Sequence, residues 1–183
     1  EPLDNYDNVK KFLTLVNCPD GLNIGLRHIS LSTCGLCDKI RALADEKLQI
    51  TLSVSLHASD SETRKMLMPV ARKFELDELM DACRYYISKT GRRISFEYSM
   101  IHGKNDTPEC AENLKKLLSG MLCHVNLIPL NDVKERNYTR SSREAIQRFS
   151  KILEDGHIIV TVRRKLGSDI NASCGQLRAG NAK

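Results

Sequence analysis

Sulfur is the most suggestive chemistry in this chain. It carries seven cysteines, and their surroundings divide them. Cys18, Cys83, Cys110 and Cys123 fall in apolar helical or strand patterns and read as small buried hydrophobes. Cys34-Gly35-Leu36-Cys37 is a lone C-x-x-C, which could be half of a zinc site or a redox pair. A zinc site wants a second such pair at a suitable distance, and the sequence offers none. Incidental cysteines in a strand-to-helix loop are the better reading, with thiol chemistry left open by their place after a strand. Cys174 differs. It sits in Asn171-Ala172-Ser173-Cys174-Gly175-Gln176, small residues outside any apolar stripe. Such surroundings suit a thiol that approaches several partners. Arg163, Arg164 and Lys165, a few residues earlier, could favour its thiolate or meet phosphate. On the residues alone, a free surface cysteine near the terminus is the competing reading.

A second group of candidates comes from an alternation. Ile50, Leu52, Val54 and Leu56 alternate with Thr51, Ser53, Ser55 and His57, and Ile94, Phe96, Tyr98 and Met100 alternate with Ser95, Glu97 and Ser99. Parallel strands buried on both faces read instead as continuous apolar runs. Helices packed on one face would bury the apolar set and leave the small polar set facing a barrel interior, where a polar ligand fits. Ser32, His57 and Asn131 would then stand at strand ends, at the mouth where barrel chemistry takes place. An antiparallel sheet with one wet face is the alternative, disfavoured by the helical patterns between strands. Glu97 is a candidate acid without an assigned role. Arg140, Arg143 and Arg148 read as a solvated helix face, with phosphate contact as the alternative.

The elements that position these groups are legible as two hydrophobic periods. Helical spacing appears at Val9, Phe12, Leu13 and Val16, and at Ile40, Leu43 and Ala44. It recurs at Leu76, Leu79, Met80, Cys83 and Ile87, at Ala111, Leu114, Leu117 and Leu118 after Thr107-Pro108, and at Ala145, Ile146, Phe149, Ile152 and Leu153. Ser141 with Glu144 three residues on suggests a capping box for the last helix. Strand-like runs cover His28–Thr33, Ile50–His57, Arg93–Ile101, His124–Leu130 and Ile158–Lys165. Repeated βα units at this spacing predict an α/β fold with a parallel sheet, in one domain over residues 1–183.

Composition sets wider bounds. Residues are 41% hydrophobic and 28% charged, which suits a folded domain and excludes a largely disordered chain. No run approaches the ~18 apolar residues of a membrane helix. A net charge of +5 permits nucleic acid without demanding it. An odd cysteine count with no secretory segment in view points to a reducing cytoplasm. The chain opens on Glu1-Pro2-Leu3 without methionine, so an upstream segment is expected.

Several stretches in this order and spacing carry a resemblance: Glu1-Pro2-Leu3, Leu31-Ser32-Thr33, Ser55-Leu56-His57-Ala58, Glu97-Tyr98, His124 through Pro129 with Asn131, Gly167-Ser168-Asp169-Ile170 and Cys174-Gly175-Gln176-Leu177. From Glu1 to about Arg178 the chain resembles the radical S-adenosylmethionine rRNA adenine methyltransferases, the RlmN/Cfr-like group. The resemblance implies the C-terminal part of a partial (β/α)6 barrel lacking its first two strands, with the methyl-carrier segment near residues 167–178. It implies a [4Fe-4S] cluster held by C-x-x-x-C-x-x-C, a motif this sequence does not contain, and S-adenosylmethionine as the second cofactor. An RNA-binding domain and a resolving cysteine are also implied to lie upstream.

The implied chemistry starts from adenine C2, an electron-poor carbon between two ring nitrogens that cannot attack a sulfonium methyl. A thiolate can. By resemblance, Cys174 accepts the methyl group, a 5′-deoxyadenosyl radical removes a hydrogen from it, and the resulting carbon radical adds to the base. The second cysteine then resolves the adduct, forming a disulfide with Cys174. Glu1 matches the acidic residue that receives the cofactor's amino group, and Ser32, Ser55, Leu56, His57 and Asn131 match positions lining its pocket. Large-subunit rRNA, with tRNA as a further substrate class, and an electron donor for the cluster are the implied partners of a cytoplasmic monomer. The C8-methylating, antibiotic-resistance activity is the alternative within the group, although Glu1-Pro2-Leu3 and Ile94–Tyr98 look more like the C2 members. A non-catalytic thiol or zinc module on Cys34 and Cys37 is the alternative outside it. The 183 residues alone are expected to be inactive, having no cluster ligands.

Overall fold

The structure, a computed structural model, describes residues 1–130 and 138–163. Five strands form one sheet in the order β1-β2-β3-β4-β5: β1 (Ser30–Thr33), β2 (Thr51–Ser55), β3 (Ile94–Met100), β4 (Cys123–Pro129) and β5 (Ile159–Val162). Every pairing is parallel, and each strand lies beside its predecessor in sequence. The connections carry helices, as parallel neighbours require. These are α2 (Cys37–Asp45), then α3 (Ser61–Leu67) with α4 (Leu76–Thr90), then α5 (Pro108–Leu117) and α6 (Arg143–Asp155). A first helix, α1 (Tyr6–Asn17), precedes β1. The α/β reading with a parallel sheet therefore holds, and the five strands are those read from the sequence.

Each element obeys local chemistry. Pro108 opens α5 behind Thr107, whose hydroxyl accepts from the Cys110 N–H at 3.2 Å. Gly91 ends α4 in a left-handed conformation, φ 63°, which an L side chain would resist. α6 begins one residue later than the capping-box reading placed it. The N-cap is Ser142, which is extended and accepts from the Ala145 N–H at 3.1 Å, while Ser141 is buried.

The alternation resolves as the period-2 argument requires. Leu52, Val54, Leu56, Ile94, Phe96, Tyr98, Met100, Val125 and Leu127 are fully buried beneath the helices. Tyr98 packs its ring 5.2 Å from that of Phe149 on α6. The opposite face carries Ser30, Ser32, Thr51, Ser53, Ser55, Ser95, Glu97, Ser99, His124, Asn126 and Thr161, aligned in rows by register: Ser32, Ser53, Ser95 and His124 form one, Ser55, Glu97, Asn126 and Thr161 the next. A polar face is thus a built feature of the sheet.

Candidate functional site

At the end of β1 the Glu1 carboxylate is held from three directions. It accepts from the Leu3 N–H at 2.9 Å, the Thr33 hydroxyl at 3.1 Å and the Cys34 N–H at 2.5 Å. Burial alone would raise its pKa. The hydrogen bonds from Cys34, Leu3 and Thr33 outweigh burial and hold it below the ordinary carboxylate value. An ionised carboxylate with acceptor capacity remaining on Oε1 is a seat for an ammonium group.

Ser32 and Ser55 present hydroxyls on the polar face, exposed and half-buried respectively, with no protein partner among the described residues. Leu56 is fully buried in the core, so any part it plays at the mouth falls to its main chain. His57 adopts a left-handed backbone, φ 58°. Its N–H donates to the Glu97 carbonyl at 3.2 Å, and its Nδ1 accepts from the Ser99 N–H at 3.0 Å. An Nδ1 that accepts from a backbone amide leaves the proton on Nε2. Burial, with help from the Arg64 charge, pushes the His57 pKa down to about 4. The imidazole is therefore a neutral donor at physiological pH. Asn131 and Cys174 lie outside the described residues.

The pKa of His57 sets a pH window. Its folded value lies below the unfolded 6.5, so the fold binds fewer protons than the unfolded chain in between. Stability is complete above pH 6.5 and falls as pH drops towards 4, by on the order of 2–3 kcal/mol from this group. His57→Asn, which tolerates the left-handed backbone, should flatten that slope in denaturant titrations across pH 4–7.

The polar rows contain a closed circuit that the sequence reading missed. Asn126 Nδ2 donates to Glu97 Oε2 at 2.7 Å and the Ser95 hydroxyl to Glu97 Oε1 at 3.1 Å. The Thr161 hydroxyl donates to Asn126 Oδ1 at 3.1 Å. His124 joins the ends, Nδ1 to Ser95 at 3.2 Å and Nε2 to Thr161 at 2.9 Å. With both hydroxyl protons committed, both imidazole nitrogens must donate to complete the ring. Burial and Arg93 nevertheless push His124 below its ordinary pKa, against the pull of Glu97. A neutral His124 leaves one link of the circuit without a proton. Glu97 thus gains a structural setting, anchored across three strands.

Asn105 is the other group that the sequence reading missed. Fully buried, it accepts from the Ile101 N–H at 2.8 Å and donates to the carbonyls of His57 at 2.8 Å and Ser99 at 2.7 Å. It ties the ends of β2 and β3 together and secures the left-handed turn at His57. In sequence it reads as one polar residue in a Gly-containing turn, with no periodic signal.

Cys34 lies in the turn after β1, but Cys37 is the first residue of α2 and fully buried. Burial, first of all, pushes both thiols up to about 12. Neither is poised as a thiolate, which favours the incidental reading of the pair. Among the described residues, no group of three or more metal-ligating side chains converges and no disulfide forms. No described helix is long and apolar enough to cross a membrane. Arg140 and Arg143 line a groove with Arg163 beside the ends of β4 and β5, whereas Arg148 is exposed elsewhere on α6.

No family model matches the chain. Two curated relatives bear the name "Probable dual-specificity RNA methyltransferase RlmN". That from Clostridium perfringens strain 13 is 58% identical over 183 residues, all of this chain and 53% of the relative. That from Clostridium botulinum strain Alaska E43 is 60% identical over the same span, again 53% of its length. Among solved structures, a radical SAM methyltransferase from Sphaerobacter thermophilus matches with a TM-score of 0.91 and 45% identity, over 96% of this chain and 52% of that one. A domain of a pyruvate-formate lyase-activating enzyme from Bacteroides vulgatus shares the fold, with a TM-score of 0.67 at 18% identity, over 90% of this chain and 94% of that one. Fold and sequence agree on a class, the radical SAM methyltransferases. Along its whole length the chain is similar to the relatives that bear the RlmN name, and it spans about half the length of the curated relatives it matches.

Proposed function

We propose that the intact protein is a radical S-adenosylmethionine methyltransferase acting on adenine C2 of 23S rRNA, with tRNA as a second substrate class. The carrying observation is 58% identity along the whole chain to relatives that bear the RlmN name. The C2 assignment draws further support from the Glu1-Pro2-Leu3 and Ile94–Tyr98 segments.

The residues present fit S-adenosylmethionine. Glu1 offers an ionised carboxylate for its amino group, Ser32 and Ser55 offer hydroxyls to polar edges, and His57 offers an Nε2 proton. When bound, S-adenosylmethionine supplies the methyl group, and a [4Fe-4S] cluster supplies the electron for its reductive cleavage. Cys174 receives the methyl group on its sulfur, and a cysteine outside this sequence resolves the protein–RNA adduct by pairing with Cys174. Asn131, which lies outside the described residues, is assigned to the same cofactor-binding set by the resemblance alone. A cytoplasmic setting, a monomeric state and an external electron donor belong to the same reading.

Two outcomes test it in the 183-residue chain itself. Incubated with reductant, S-adenosylmethionine and unmodified rRNA, it should give no 2-methyladenosine by mass spectrometry of digested RNA, since it lacks C-x-x-x-C-x-x-C. Detectable product from this chain alone would refute the assigned need for cluster ligands. Metal analysis should find far less than one zinc per chain, unchanged by Cys34→Ser. Stoichiometric zinc lost in that variant would favour the thiol module instead.

A further inference from the structure

Arg64 on α3 is the group that the proposed chemistry leaves unexplained. Its side chain is fully buried, yet among the described residues it makes no ion pair, and the sulfur groups nearest it, Cys34, Cys37 and Cys83, are held as neutral thiols by burial. Nη2 donates to the Cys34 carbonyl at 2.8 Å, while Nε and Nη1 are buried with no acceptor among the described residues. A guanidinium does not escape burial by losing its proton, as a lysine does. An unpaired interior cation with open donors is costly, and apolar side chains of similar volume often serve such positions better. Arg64 therefore burdens the fold, and the one hydrogen bond it makes among the described residues is the place to look for its contribution.

That bond ends on a residue that Glu1 shares. The Cys34 N–H donates to Glu1 Oε2 at 2.5 Å while the Cys34 carbonyl accepts from Arg64, so one residue is gripped from both sides. The next residue closes the arrangement. Gly35 has φ 107°, and a Cβ there would lie 3.0 Å from Arg64 Nη2 and 3.1 Å from Leu79. The loop is thus drawn down onto the guanidinium. The Gly35 N–H donates to Thr33 Oγ1 at 3.1 Å, and that hydroxyl donates to Glu1.

We propose that Arg64 is a positioning residue for the Glu1 carboxylate: by holding the Cys34 carbonyl it fixes the loop whose N–H and hydroxyl donors orient that carboxylate towards a cofactor's ammonium group. This rests on the reading of Glu1 as the ammonium seat.

The test uses the intact protein, with S-adenosylmethionine affinity and thermal unfolding measured on the same samples. Arg64→Met should weaken affinity by roughly tenfold, as expected from misplacing one charge-assisted contact, with Tm unchanged or raised. Arg64→Lys, which keeps a donor for Cys34, should recover part of the affinity. A double variant with Glu1→Gln should bind no more weakly than Glu1→Gln alone, because Arg64 acts through Glu1. Unchanged affinity in Arg64→Met overturns the proposal, and so do additive losses in the double variant. Failure of Arg64→Met to fold, or a Tm drop of about 10 °C or more, also overturns it by making the residue a structural support. Absence of S-adenosylmethionine binding by the unaltered protein would instead sink the functional reading, and the positioning role with it.

Discussion

Cys174→Ala in the intact protein should abolish methylated adenosine while leaving iron and sulfide content at the unaltered level. The expected loss is at least ~10³-fold, because the variant removes the covalent route itself and not one stabilising contact. Adenine C2 does not displace a methyl group from a sulfonium, so without a sulfur relay no slower direct path takes over. Cys174 lies beyond the described residues, and the sequence around it, Asn171-Ala172-Ser173-Cys174-Gly175-Gln176, supplies the case. Quantifying 2-methyladenosine in digested rRNA decides it. Methylation retained at even a few per cent would remove Cys174 from the covalent role.

Asn105→Ala should be the most destabilising substitution at the mouth. Asn105 satisfies one buried N–H and two carbonyls at once, those of Ile101, His57 and Ser99. Each orphaned group costs about 1–3 kcal/mol, and water entering the vacated space recovers part of that. The expected net loss is about 3–5 kcal/mol, a Tm drop of about 10 °C or more for a chain of this size. Asn105→Asp should fare no better, since a carboxylate would face two carbonyl oxygens where the amide now donates. An unfolding free energy within about 1 kcal/mol of the unaltered protein's, measured in denaturant, would show that the turn at His57 holds without its tie.

Legibility in the sequence followed periodicity. Strands β2 and β3 were readable because Ile, Leu, Val and Phe alternate with Ser, Thr and Glu, and register then set those polar residues in rows, whereas β5 was readable as a β-branched run, Ile159-Val160-Thr161-Val162. Helix α3 escaped because its seven residues carry no apolar stripe. Its one N-terminal signal was Asp60, which accepts from the Thr63 N–H at 2.8 Å. Arg64 was illegible for the same reason: an arginine between Thr63 and Lys65 reads as surface, and only its complete burial beside Gly35 reveals otherwise. Of the candidate site, Ser32, Ser55 and His57 were marked by the polar alternation or by their places at strand ends, whereas Glu1 entered through the resemblance alone. The ring through Glu97 and His124 joins residues on three strands, a relation that no linear pattern encodes.

The strand order of the sheet bears on how the chain comes into being. Each new strand docks against the one synthesised just before it, and none waits for a distant segment to emerge. A ribosome could therefore lay the sheet down one edge at a time, each helix sealing its apolar side as it leaves the exit tunnel. Nascent chains stalled after successive helices should gain protease resistance in steps, one for each strand–helix pair released.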